Sequence, residues 1–134
     1  MAVPLLAFLS VTTACSSPGS ECGSGTDSAE SAVQRFLADV SAGRDEGACR
    51  YLTEGRTPDS REAEALRTRL GGADPASLRI ATTDQMGAEH VVTVRTDDGT
   101  WVGDFSVIEG DSFLLSSWVT DEEYSPDASD ADSS

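Results

Sequence analysis

The chain has 134 residues, a formal net charge of −15 and nine basic residues, all of them arginine because lysine is absent. A length of this order suggests one small domain, and hydrophobic residues at 38% suffice for a single core. So acidic a chain repels nucleic-acid phosphates, which removes nucleic acid from the expected partners and leaves solubility outside a cell as the plain reason for the charge.

The N-terminus carries the strongest signal. Residues 2–9 are apolar apart from Pro4, residues 10–14 are small and mostly polar, and Cys15 follows. That layout reads as a secretory signal peptide over residues 1–14. The apolar run falls well short of the ~20 residues a bilayer span needs, so it reads as a removable address.

Val11-Thr12-Thr13-Ala14-Cys15 resembles the lipobox of bacterial lipoproteins. The resemblance implies that the Cys15 thiol is acylated with diacylglycerol and that cleavage makes Cys15 the new N-terminus. Ala14 matches the small residue before the cysteine, whereas Thr12 stands where the family usually has Leu. No Arg or Lys precedes the apolar run. The other reading is a signal-peptidase cut near Ala14 and a soluble secreted product. Acyl chains contribute ~0.8 kcal/mol per buried CH₂, and two or more anchor stably. The expected location is therefore the extracytoplasmic face of the cell membrane, held by membrane lipid through an acylated Cys15. Residues 15–26, rich in Ser and Gly with Pro18, read as a flexible stalk.

Cys15, Cys22 and Cys49 are an odd number of thiols for an exported chain. Lipidation of Cys15 leaves an even pair, and an oxidising compartment would join Cys22 to Cys49. Such a bridge would stabilise by about 3–4 kcal/mol in the chain-entropy view. The alternative is a buried free thiol at Cys49 and an unpaired Cys22. With no CxxC and one histidine, His90, no metal site is expected and no cofactor is implied.

Ala29, Ala32, Val33, Phe36, Leu37 and Val40 recur at helical spacing and predict an amphipathic helix. Asp27 with Glu30 reads as its capping box and Gly43 as its stop. A short second helix is expected over 45–52, with Ala48, Cys49 and Leu52 on one face. A third is expected over 59–70, with Pro58 in its first turn and Ala63, Leu66 and Leu70 as a stripe. After Pro75 the period becomes two. Leu78, Ile80 and Thr82 alternate with polar neighbours, and 90–96 is rich in β-branched residues. Asp97-Asp98-Gly99 is a hairpin signal. Residues 100–108 follow with Trp101, Phe105 and Val107 on one face, and 113–119 completes about four antiparallel strands. Residues 121–134 alternate acids with Ser, Ala and Pro and read as a disordered acidic tail.

The predicted architecture is α+β, with N-terminal helices packed on a curved antiparallel sheet over residues 27–120. Ala29-x-x-x-Val33-x-x-Phe36-Leu37, Gly43, Ala48-Cys49-x-x-Leu52 and the strands from Leu78 to Val119 resemble the NTF2-like (cystatin-like) domains of small actinobacterial lipoproteins. The resemblance implies helices set against a bent sheet, often around a pocket, and does not carry a function with it.

An isomerase-like pocket would need a carboxylate base and an oxyanion donor. Asp104 is the candidate base, His90 a second acid–base group and Tyr51 a donor; each also reads as an ordinary structural residue. Trp101, Phe105, Phe113 and Trp118 could line a ligand pocket or fill the core. No GxSxG, HExxH, P-loop or Gly-rich dinucleotide motif occurs. The leading expectation is a non-enzymatic, membrane-anchored lipoprotein that binds an envelope protein partner or a small hydrophobic ligand. The alternative is an NTF2-like pocket enzyme, isomerase- or hydratase-like, using a carboxylate base.

Overall fold

The computed structural model describes residues 21–120. Its architecture is α+β: two helices pack against an open four-stranded antiparallel sheet with strand order β1-β2-β3-β4. The signal peptide, Cys15 and the acidic tail expected from the sequence lie outside the described residues.

Helix α1, Ala29–Ser41, forms where the sequence places it and buries the face carrying Ala32, Val33, Phe36, Leu37 and Val40. Its start differs from expectation. Ser28 is the cap, its hydroxyl accepting from the Ser31 amide at 3.1 Å. Glu30 is drawn away from Asp27 because the Thr82 hydroxyl donates to its carboxylate. The helix ends in a Schellman motif. The Gly43 amide donates to Val40 O at 3.0 Å and the Arg44 amide to Asp39 O at 2.8 Å, with Gly43 at φ 80°.

The expected second helix is a short 3₁₀ segment, Gly47–Tyr51, after which Leu52 is extended and bridges Leu115. An α-helical turn here would need the carbonyls of Cys49 and Arg50 for the residues beyond. Those carbonyls instead accept from Gly23 and Gly25 at 2.9 and 2.8 Å. The same bonds correct the stalk: Cys22 to Thr26 is part of the domain. Thr26 exchanges backbone hydrogen bonds with Phe113, and Cys22 and Cys49 are joined in a disulfide with Cα atoms 4.8 Å apart. The glycines in this stretch serve close packing. A Cβ on Gly25 (φ 74°) would stand 2.7 Å from Phe113 O.

Helix α2, Ser60–Leu70, carries the capping box that the sequence reading placed on α1. Asp59 accepts from the Glu62 amide at 2.8 Å, and Glu62 accepts from the Asp59 amide at 3.1 Å. Pro58 therefore precedes the cap instead of opening the helix. Ala63, Leu66 and Leu70 are buried as expected.

The strands are β1 (Arg79–Met86), β2 (Glu89–Arg95), β3 (Trp101–Glu109) and β4 (Phe113–Val119). Val92, Val94, Phe105, Val107 and Leu115 meet α1 across a dry core. Irregularities in register fall at Thr83, Val102 and Ser116. The one at Val102 corrects a sequence expectation. Val94 pairs with Gly103 and Arg95 with Trp101, so one extra residue sits in β3. A bulge of this kind turns the residues before it to the other side of the sheet. Val102 enters the core, and Trp101 lies on the opposite face from Phe105 and Val107.

Candidate functional site

The two ends of α1 are built differently: a depression lined by Gly43, Arg44, Asp45, Glu46 and Gly47 lies beyond the C-terminal end, and a cleft with an imidazole in it lies at the N-terminal end. There Ser28, Ala29 and Glu30 of the first turn face Thr82 and Gln85 of β1, His90 of β2 and Phe113 of β4 across a cleft of about 300 Å³. Register explains the convergence. Thr82 pairs with Val92, Gln85 with His90, His90 with Val107, and Glu109 with Phe113. Paired residues share a face. All of these side chains therefore rise on the side of the sheet that α1 covers, just beyond the helix's first turn.

His90 is the centre of this cleft. Its side chain is 13% exposed, and Nε2 lies 3.0 Å from Glu109 Oε1. Phe113 meets the imidazole edge-on with ring centres 5.5 Å apart. Glu30 lies on the opposite side of the cleft. The Thr82 hydroxyl holds its carboxyl below the usual carboxylate range, helped by its own backbone amide and by the nearby imidazole, against a small opposing effect of burial. Two carboxylates flanking an imidazole can accept hydrogen bonds from a cationic or donor-rich group. Among the described residues no three His, Cys, Asp or Glu side chains form a metal-holding group.

The three catalytic candidates are not brought together. Asp104 pairs with Thr93 on the far face of the sheet and accepts from Trp101 Nε1 at 2.9 Å. His90 pairs with Val107 on the helix side. Tyr51 is buried on the 3₁₀ segment, with the Arg50 guanidinium 5.5 Å from its ring centre. No single cavity can present Asp104 and His90 to one substrate, because the sheet itself separates them.

The four aromatic candidates also divide. Phe105 is fully buried, and Trp118 packs on Phe36 and Phe105 with ring centres 5.0 and 6.2 Å away. These rings fill the space between helix and sheet. Phe113 reaches the cleft, and Trp101 lies on the outer face. The sequence reading missed Glu30 and Gln85 as cleft residues and Glu109 as the partner of His90. A signal for Glu30 existed in the polar position it holds in the first turn of α1, beside the buried stripe; Glu109 and Gln85 depend on strand register.

At the far end of α1 charged groups pair with one another. Asp39, only 5% exposed, accepts from Arg44 Nε and Nη2 at 3.1 and 2.9 Å and from Arg50 Nη2 at 2.9 Å. Arg67 of α2 donates to Val40 O at 3.0 Å and to Asp45 at 2.9 Å, satisfying a terminal carbonyl of α1. Among the described residues no helix is long and apolar enough to cross a membrane. Comparison with family models, curated proteins and solved structures found no match for this chain.

Proposed function

We propose that this chain is an exported lipoprotein, anchored by an acylated Cys15 at the extracytoplasmic face, whose domain is a non-catalytic binding module of the NTF2-like (cystatin-like) kind. The observation that carries the reading is the Cys22–Cys49 disulfide, formed seven residues after Cys15 along the chain. Disulfides of this structural kind form and persist in oxidising compartments. Cys22 and Cys49 account for two of the three cysteines, and the third, Cys15, stands at the end of the lipobox-like stretch.

Of the two expected ligands, an envelope protein is favoured over a small hydrophobic molecule. Phe36, Phe105 and Trp118 occupy the apolar space such a molecule would need. The cleft at His90 is instead lined by Glu30 and Gln85, with Glu109 bonded to the imidazole, groups suited to a donor-bearing side chain of a partner. The separation of Asp104 from His90 by the sheet counts against the pocket-enzyme alternative.

The test is metabolic labelling with a radioactive fatty acid. The unaltered protein should carry label and fractionate with membranes. Cys15→Ser should carry none and appear in the soluble extracytoplasmic fraction. Equal labelling of both proteins, or none in either, would overturn the anchor.

A further inference from the structure

The sheet has two edges, and the chain covers one of them. At β4, Thr26 exchanges backbone hydrogen bonds with Phe113 and Leu52 bridges Leu115, and one residue of the seven is exposed. Among the described residues nothing pairs with the far side of β1, and six of its eight residues are exposed. Met86, at the end of β1, is 70% exposed. An edge strand of this kind presents backbone donors and acceptors that another strand can take up.

Beside that edge a groove of about 410 Å³ runs between β1 and α1. Pro75, Leu78 and Ile80 line it together with Glu30 and Arg35 of the helix. Leu78 and Ile80 pack on the core and are only partly buried. A strand added to β1 would set every second side chain over these apolar groups.

Charge selects the occupant. The chain has a net charge of −15, yet β1 and its groove hold two arginines and two acids: Arg79 and Asp84 on the strand, Arg35 and Glu30 beside it. A basic peptide finds no excess of acid here, and an acidic peptide no excess of base. The pattern is complementary to itself. Consider two β1 strands laid antiparallel about a two-fold axis at Ala81. Arg79 of one copy then stands opposite Thr83 of the other and next to its Asp84, and the contact recurs across the axis. Ile80 meets Thr82, and both belong to the helix side of the sheet, since their partners on β2 are the core residues Val94 and Val92. Faces and charges therefore agree in one register. Existing bonds leave the charges usable. Arg79 donates to Asp97 O at 2.6 Å and a guanidinium has donors to spare; Asp84 accepts from the Gln85 amide at 2.9 Å through one oxygen. The same charges, with the irregularity at Thr83, disfavour other strands and other registers.

We propose that the β1 edge is a docking surface for a second copy of this chain. The two β1 strands pair antiparallel, the two four-stranded sheets become one continuous sheet, and both α1 helices lie on the same side of it. Glu30 lines both the groove and the His90 cleft, so the dimer presents two such clefts on one side. The assignment rests on neither export, nor lipidation, nor a ligand at the cleft.

The experiment is sedimentation equilibrium of the full chain carrying Cys15→Ser, which takes acylation out of the association. The concentration runs from ~10 µM to ~1 mM, where a small transient interface fills. The chain should approach twice its monomer mass. Arg79→Asp and Asp84→Arg each turn both cross-axis pairs into like charges, so each variant alone should associate about tenfold more weakly. Mixed in equal amounts, the two variants regain both pairs and should associate as the unsubstituted chain does, which also shows that each is folded. Amide hydrogen exchange gives the location: β1 should gain protection as the concentration rises, and β4 should not. A monomer throughout would overturn the proposal. So would association indifferent to the two substitutions, weakened association that mixing fails to restore, or protection gained at β4 in place of β1.

Discussion

The two ends of α1 make an instructive pair. At the C-terminal end charged groups pair with one another: Asp39 takes two arginines and Arg67 reaches the last turn. At the N-terminal end comparable groups are left reachable. Glu30, Gln85 and His90 line a cleft, with Glu30 bonded to Thr82 and His90 to Glu109. The same helix thus ends on a buried carboxylate paired with two arginines and begins beside a cleft that holds an imidazole between two acids.

Removing the covalent link between Cys22 and Cys49 should have the largest effect. Loss of the Cys22–Cys49 bridge, by reduction or by Cys49→Ser, should cost about 3–4 kcal/mol, as expected for a loop of this size. For a domain near 100 residues that is a fall in Tm of roughly 15–25 °C, read by thermal denaturation monitored by circular dichroism. A change below about 3 °C would show that the bridge is incidental to the stability of the domain.

Next in size is the buried carboxylate. The double variant Arg44→Ala, Arg50→Ala strands Asp39 without a counter-charge and should cost about 3 kcal/mol in urea denaturation. Adding Asp39→Leu should recover much of that loss, because a well-packed apolar group replaces the unpaired charge. No recovery would mean that the arginines act through their stems and not through Asp39.

The smallest effect belongs to the N-terminal end of α1, and its sign is fixed by Glu30. Its carboxyl is held below the ordinary value of 4.5 in the folded state, chiefly by the Thr82 hydroxyl. The stability this adds is present above pH ~4.5 and is lost as pH falls through the lower folded value. Thr82→Val should therefore be less stable than the unaltered protein near neutral pH, with the difference shrinking on acidification below pH ~4.5. A pH-independent difference would trace the effect to side-chain packing at this β1 position in place of the hydrogen bond, and would remove the electrostatic distinction between the two ends.

The sequence carried the helices well because a 3.6-residue period over α1 and a three-residue stripe on α2 are local signals. It carried the four strands and the Cys22–Cys49 pairing for similar reasons: alternation is local, and cysteine count limits the partners. It failed where geometry depends on distant segments. Gly23 and Gly25 look like linker composition, yet they pack against Cys49 and Phe113. Trp101 alternates with Phe105 in sequence, but the extra residue at Val102 turns it outward. Asp27 and Glu30 have capping-box spacing, but a hydroxyl fifty-two residues away wins Glu30. The cleft was half legible: His90 and Phe113 were candidates, whereas Glu30 and Gln85, and Glu109 as the partner of His90, depend on the sheet register.

The most direct measurement is thiol alkylation of the protein taken from its native cells under non-reducing, denaturing conditions, followed by mass analysis of the labelled peptides. The account predicts that Cys22 and Cys49 are unreactive until a reductant is added and that Cys15 does not react in either case. Two free thiols at Cys22 and Cys49, on a chain that still carries Met1, would place the protein in a reducing compartment and contradict the account at its base.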